Sequence, residues 1–453
     1  MTDRHPDRKT LERFLAGELT DEQDRTLQRH VFTCPSCEER LIGLLPADGD
    51  TVHSPLPTGE AEHRTLIRRI VQEKQPAAAQ RRLDLEAERA EAPGLWEALR
   101  HETPENRRKL AGSDRSYQTW GVFELLVDIS RQTLPQEPRQ AEDLVRLALE
   151  VARHLDADLY GESAVEAAQV KAWTHLANTL RVLSDFRQAE QAFRKAEAHL
   201  PRSWFDPVDE AMILEFKGAM RRAQGRYEEA LGLLDDAIAL YREVNESHHH
   251  GRALMVKGLT LQYRGETEAA AECFKTSLFL LDGLREPRLL VMSQCNLVGC
   301  LHDGGRSAEA AVLIPEAKAL IDQVGKRSDL LRLTWIEAKV QGALGQWAAA
   351  ERSFGWIREG FIEDGLAFDA ALVSLDLSAL YIRQGKTAEA KRLAAEMLPI
   401  FQSRDIHREA LAALIVFQQA AEVEQLTLGL VEEVSTFLEQ ARNNPSLRFR
   451  GEK

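Results

Sequence analysis

The chain has 453 residues, too many for one compact core, because single cores stop growing near ~250–300 residues. Its 44% hydrophobic and 29% charged residues exclude a disordered chain, and a net charge of −14 argues against direct nucleic-acid binding, which needs a basic face. The longest apolar run, Ala410 to Phe417, is far short of a membrane span, and Met1 to Lys9 is polar with no apolar stretch behind it, so a cytoplasmic protein with no membrane partner is expected. Five cysteines, two of them three apart near the N-terminus, read as a reduced set with a metal site and not as a disulfide framework.

Residues 1–45 come first and are dense in helix signals. Leu11, Phe14, Leu15 and Leu19 form the apolar stripe of an opening helix. Thr20-Asp-Glu-Gln23 reads as a capping box that starts a second helix, running to about Phe32. Leu27, Val31, Leu41 and Leu44 can face the first stripe. The segment then reads His30-Val-Phe-Thr-Cys34-Pro-Ser-Cys37. His30 and Cys34 are four apart and share one face of a helix end, and Pro35 shapes the knuckle that brings Cys37 round. With His5 as fourth ligand this makes a tetrahedral His2Cys2 shell for one structural Zn2+; a nearby acid or water is the alternative fourth ligand. So small a unit buries too little surface to fold unaided, and structural zinc contributes roughly 10–16 kcal/mol in small zinc peptides. The alternative is a zinc-free helical hairpin with incidental cysteines.

His5 to Leu45 resembles the zinc-binding domain of anti-sigma factors, on Gly17-Glu18-Leu19 and the four candidate ligands His5, His30, Cys34 and Cys37. The resemblance implies binding of an extracytoplasmic-function sigma factor and occlusion of its polymerase-binding surfaces, often with a further helix after a linker. Residues 61–73, with Leu66, Ile67 and Ile70 on one face, could supply that helix. Many members of that family continue into a membrane span, whereas this chain continues into soluble sequence, and the same fold also serves as a generic zinc-stabilised interaction module. Oxidation of Cys34 and Cys37 to a disulfide would eject the metal; a purely structural pair is the alternative.

Residues 46–60 are a linker marked by Pro46, Gly49, Pro55, Pro57 and Gly59. Residues 61–119 read as a charged helical connector, with helices at Glu62 to Glu73 and Ala78 to Glu91 broken at Pro76, Pro93 and Pro104. From residue 120 to 442 the dominant signal is repetition. Gly-x-x-x-x-Ala recurs at Gly225–Ala230, Gly265–Ala270, Gly305–Ala310, Gly345–Ala350 and Gly385–Ala390, always in the same phase. Ser184–Ala189 is an earlier copy, and a weaker one sits at Ala141. Glycine supplies the left-handed residue that ends one helix, and the small alanine lets the next helix pack close. Leu426 to Arg442 reads as a terminal capping helix, and 443–453 as a tail.

Trp173, Leu176, Ala177, Leu180, Ala189, Phe193, Ala196 and Pro201 follow the spacing of the tetratricopeptide repeat, and residues 120–440 resemble that family. Gly218 and Gly258 keep the close-packing position of the first helix, and Phe274 and Phe354 keep the aromatic of the second. The copies are longer than the family's 34 residues, through longer helices or turns. The resemblance implies an all-α chain whose small zinc-binding helical domain precedes an α-solenoid, a right-handed superhelix of helical hairpins with a concave groove. It also points first-helix residues into that groove: Lys171, Asn178, Arg181, Arg222, Arg252, Arg332, Trp335 and Lys339. A basic lining with an aromatic suits an acidic or carboxylate-bearing peptide, unless neighbouring acids neutralise it.

Other signals carry less. His248, His249 and His250 read as solvated turn residues. Gly385-Lys386-Thr387 lacks the upstream glycine and strand of a phosphate-binding loop. Cys273, Cys295 and Cys300 read as small core hydrophobes. No catalytic triad, catalytic dyad or metalloprotease motif has supporting context, so no enzyme is expected. The sequence therefore reads as a regulator in which the zinc domain binds a sigma factor or similar partner and the groove binds a second protein or peptide. The alternative is a repeat scaffold whose zinc domain is only structural or serves self-assembly.

Overall fold

The structure is a computed structural model that describes Pro6, residues 8–16, Gln23, Leu27, His30, Cys37, Arg40, Leu41, 80–81, 83–203, 206–402, Leu414, 417–418, Ala421 and 427–443. Every regular element among these residues is helical. The linker at 46–60, the helix expected at 61–73 and the tail lie outside the described residues. The chain divides into two compact units, Met1–Asn245 and Glu246–Lys453.

In the first unit, α1 (Arg8–Ala16) buries Leu11 and Phe14, two residues of its expected stripe. α2 (83–99) runs unbroken through Pro93, where a break was expected. The lost hydrogen bond of an internal proline is offset by the packing of Leu85, Ala92, Leu95 and Trp96 into the unit's core. The same core takes Ala111 of α3 (Pro104–Ser113). Pro104 does stop the chain, but as the first residue of α3, where its missing N–H costs nothing and the Thr103 hydroxyl accepts from the N–H of Asn106. These two helices therefore belong to the first packed unit and do more than connect. α4 (Trp120–Thr133) and α5 (Pro138–His154) form the first hairpin, with Ala141 fully buried as the weak repeat copy implies. Then come α6 (Glu162–Val182) with α7 (Phe186–His199), and α8 (Pro207–Ala223) with α9 (Tyr227–Glu243).

The second unit repeats the pairing with α10 (Ser247–Tyr263) and α11 (Thr267–Leu280), α12 (Pro287–Asp303) and α13 (Ser307–Val324), and α14 (Arg327–Ala343) and α15 (Trp347–Glu363). α16 (Ala367–Arg383) and α17 (Thr387–Gln402) follow, and α18 (Leu428–Asn443) packs on α16 as the capping helix. First helices of 17 residues absorb part of the extra length of each copy.

The glycine period has the expected cause. Gly225, Gly265, Gly305, Gly345 and Gly385 all have φ between +71° and +82°, and Ser184 takes the same conformation at +61°. The residue after each turn closes the helix end: the N–H of Arg226 reaches the carbonyl of Arg221 at 2.9 Å, and that of Arg306 reaches Leu301 at 2.8 Å. The paired alanines Ala189, Ala230, Ala270, Ala310 and Ala350 are fully buried. At Gly258 an added Cβ would stand 2.9 Å from the ring of Phe274, so the backbone of α10 rests directly on that ring. Successive first helices touch one another, α6 on α8 in the first unit and α10, α12, α14 and α16 in series in the second. Their side chains therefore share one face in each unit, and that face holds the candidate site.

Candidate ligand groove

In the first unit, Lys171, Asn178 and Arg181 lie on α6 and Arg222 on α8. Positions 171, 178 and 181 are separated by about two turns and then by a little under one turn, which puts them on one stripe of the helix. The Nε–H of Arg181 donates to Oδ1 of Asn178 at 2.9 Å. Burial and the neighbouring Arg222 hold the Arg181 guanidinium down to about 10, with Glu215 acting in the opposite direction. Glu215 is 1% exposed and accepts from the Tyr241 hydroxyl at 2.9 Å. A carboxylate so deep is kept because it has a donor and nearby cations. The His175 and Phe216 rings meet edge to face with centroids 6.1 Å apart. At the start of α8, burial and Asp206 push the Asp209 carboxyl up to about 7, and Lys171 and Arg13 oppose this.

In the second unit, Arg252 lies on α10, and Arg332, Trp335 and Lys339 lie on α14. Here Trp335 and Lys339 meet an acid. Trp335 Nε1–H donates to Oδ2 of Asp376 on α16 at 2.6 Å, and Lys339 Nζ lies 3.5 Å from the same oxygen and 5.5 Å from the Trp335 ring centroid. Asp376 raises the Lys339 ammonium above the ordinary lysine value, helped by Asp303 of α12 and Glu439 of α18. Burial holds the Glu439 carboxyl above its usual range; Lys339 opposes this, while Asp376 and Asp303 add to it. A cleft of about 180 Å³ opens here, lined by His302, Lys339, Phe354, Asp376, Leu380 and Arg383. Arg332 is exposed and makes no hydrogen bond or ion pair among the described residues.

The sequence reading therefore found the cations and missed the acids. Glu215 stands seven residues before Arg222 on the same helix, a spacing that would have flagged it. Asp376 stands one residue past the repeat equivalent of Trp335. Glu439 and Asp303 carried no sequence signal, because they arrive from the capping helix and from a helix end.

The histidine run is a correction. His248 and His249 are buried in the first turn of α10 instead of solvated. Nδ1 of His248 accepts the N–H of Asp282 at 3.1 Å, and Nδ1 of His249 lies 2.9 Å from Oε1 of Glu246. The loop between α11 and α12 folds over them. Cys295 and Cys300 behave as read from sequence: burial pushes both thiols up to about 12. Of the four candidate zinc ligands, His5 and Cys34 lie outside the described residues. Cys37 is fully buried, and Nε2 of His30 is withdrawn from solvent. Among the described residues no group of three or more His, Cys, Asp or Glu could hold a metal ion.

Residues 209–280 match the sequence profile of the tetratricopeptide repeat. No curated protein matches the sequence. In structure the chain is similar to a Rap protein complexed with competence and sporulation factor, at 14% identity over 71% of this chain and 87% of that one, with a TM-score of 0.51. It is similar to the apo form of RapI at 13% identity over the same shares, with a TM-score of 0.53. It is also similar to a STAND signal-transduction ATPase with a tetratricopeptide-repeat sensor from Pyrococcus horikoshii, at 14% identity over 97% of this chain and 72% of that one, with a TM-score of 0.54. At these identities the likeness is one of fold. The chain has a helical repeat fold of tetratricopeptide type, and no described helix is long and apolar enough to cross a membrane.

Proposed function

We propose that the chain is a cytoplasmic, non-enzymatic regulator in which the repeats hold a protein or peptide and the N-terminal module engages a second partner. The observation that carries the first half is the face of consecutive first helices, which presents Lys171, Asn178, Arg181 and Arg222 beside one another. A neighbour in fold was captured in complex with a regulatory factor, which supports the same reading. For the second half, a buried thiol at Cys37 and a buried imidazole nitrogen at His30 suit a soft, borderline metal. His5, His30, Cys34 and Cys37 would hold one Zn2+, whose contribution is structural. An extracytoplasmic-function sigma factor is the partner implied by the resemblance of this segment to anti-sigma factors.

The test is affinity capture with the full chain, beside a Cys34→Ser/Cys37→Ser variant, with zinc measured in both baits. The expected result is one zinc per chain and a sigma factor captured only by the parent. Zinc in the parent with no sigma factor captured would overturn the sigma-binding half and leave a repeat scaffold with a structural metal.

A further inference from the structure

The loop between α11 and α12 is organised around Asp282. The Asp282 carbonyl accepts the N–H groups of Arg285 and Glu286, both at 3.2 Å, and its Oδ1 accepts that of Leu284 at 2.9 Å. Its own N–H leaves the loop and donates to Nδ1 of His248 in the first turn of α10, at 3.1 Å. A backbone N–H can only donate, so Nδ1 carries no proton and the ring is neutral, with its proton on Nε2. His248 is 5% exposed, and its Nε2 makes no hydrogen bond among the described residues; Oε2 of Glu286 stands 3.9 Å away. Beside this contact the buried Leu281 covers the backbone of α10, where a Cβ added at Gly251 would stand 3.2 Å from Leu281 Cγ. Arg285 Nη1 ties the loop once more, 3.2 Å from Oε1 of Glu246, which His249 Nδ1 also approaches at 2.9 Å.

We infer that the α11–α12 loop is an acid-released latch: a proton taken from solvent onto Nδ1 of His248 displaces the N–H of Asp282, and the loop lifts with Leu281 from the first turns of α10. The proton occupies the lone pair that now accepts the Asp282 N–H. Two N–H groups would then face each other across the same 3.1 Å with no acceptor between them. The loop has to move before the charged ring is satisfied. The charged groups around the ring come from three elements. Glu286 at the start of α12 and Asp282 of the loop favour the proton, while Arg285 of the loop and Arg252 of α10 oppose it. The His249 ring lies edge to face at 5.7 Å and is engaged with Glu246. Burial is the largest influence and holds the His248 imidazole below the ordinary histidine value of 6.5. The closed latch therefore contributes its full stability above about pH 6.5 and loses it as pH falls through the lowered folded-state value. The device lies within the second unit and does not depend on what the repeats hold.

The experiment is hydrogen exchange read by mass spectrometry on the full chain, between about pH 8 and pH 5, with each rate divided by the intrinsic rate at that pH. His248→Asn keeps an acceptor near the position of Nδ1 but does not titrate, and His248→Leu removes the acceptor. His249→Asn is the control, and α14 is the internal reference. In the parent, protection of residues 281–286 should fall about tenfold or more on acidification while α14 stays protected. His248→Asn should remain protected throughout, His248→Leu should be open at both ends of the range, and His249→Asn should follow the parent. Glu286→Gln removes a charge that favours the proton, so its opening should move to lower pH; this arm decides the matter even where His248→Asn fails to fold. No acid opening in the parent overturns the latch, as does equal opening in His248→Asn. Loss of the response in His249→Asn, or an unmoved transition in Glu286→Gln, assigns it to another group and overturns it too. Equal loss of protection in α14 would mean unfolding of the whole unit and not release of a loop, which is also fatal to it.

Discussion

The two units give the cations of the same repeat column different partners. On α6 Arg181 spends its Nε–H on Asn178, a neutral amide, and not on an acid. Between α14 and α16 Lys339 is consumed internally, since Asp376 takes both Trp335 Nε1–H and Lys339, with Asp303 and Glu439 nearby. A basic residue at a groove position is therefore not yet a ligand contact. What decides is whether the next helix brings an acid within hydrogen-bond reach. By that measure the second unit offers a neutralised cleft with Arg383 on its rim.

The largest expected effect comes from removing Glu215, an acid that is almost fully withdrawn from solvent. Glu215→Ala should cost about 3 kcal/mol, because it leaves Tyr241 without its acceptor and the guanidinium groups without their counter-charge. Urea denaturation would show it, and an unchanged midpoint would mean that the cluster is already solvated and the contrast between units is false. Gly258→Ala probes packing independently of charge. Its Cβ would press on the Phe274 ring from 2.9 Å, and a loss of about 2 kcal/mol is expected from overpacking.

Asp376→Ala should be milder, at about 1.5 kcal/mol, because its partners are only part-buried and water can replace it. It should also free Lys339 from its ion pair, and a gain of anion binding in the cleft would be the sharper readout. Glu439 gives a pH test. Its folded-state value lies above the ordinary 4.5 because of burial, against the opposing Lys339. Its contribution to stability is then fully present below pH 4.5 and is lost as pH rises through the raised value. Glu439→Gln should flatten that part of the stability–pH curve; equal slopes in parent and variant would contradict it. The smallest effect belongs to Arg332→Ala, within about 0.5 kcal/mol of the parent, since the side chain is exposed and bonds to nothing described.

Much of the fold was legible because its signals are local. A left-handed glycine, a small alanine five residues later and an apolar stripe each act within one hairpin, and repetition makes them unmistakable. Pro93 shows the limit: the local rule predicted a break, and the packing of Trp96 and its neighbours overrode it. His248 shows it again, because it is buried against the backbone of Asp282, 34 residues away.

The amino-acid sequence by itself determined the helical repeat, its period and the cationic groove column, since these follow from helix termination and side-chain periodicity along one stretch of chain. Only the tertiary structure decided which of those cations remain available. Arg181 meets the amide of Asn178, while Lys339 is spent because α16 and α18 bring carboxylates. Such pairing depends on ångström-scale distances between helices far apart in sequence, and electrostatics within a part-buried groove is settled at that scale.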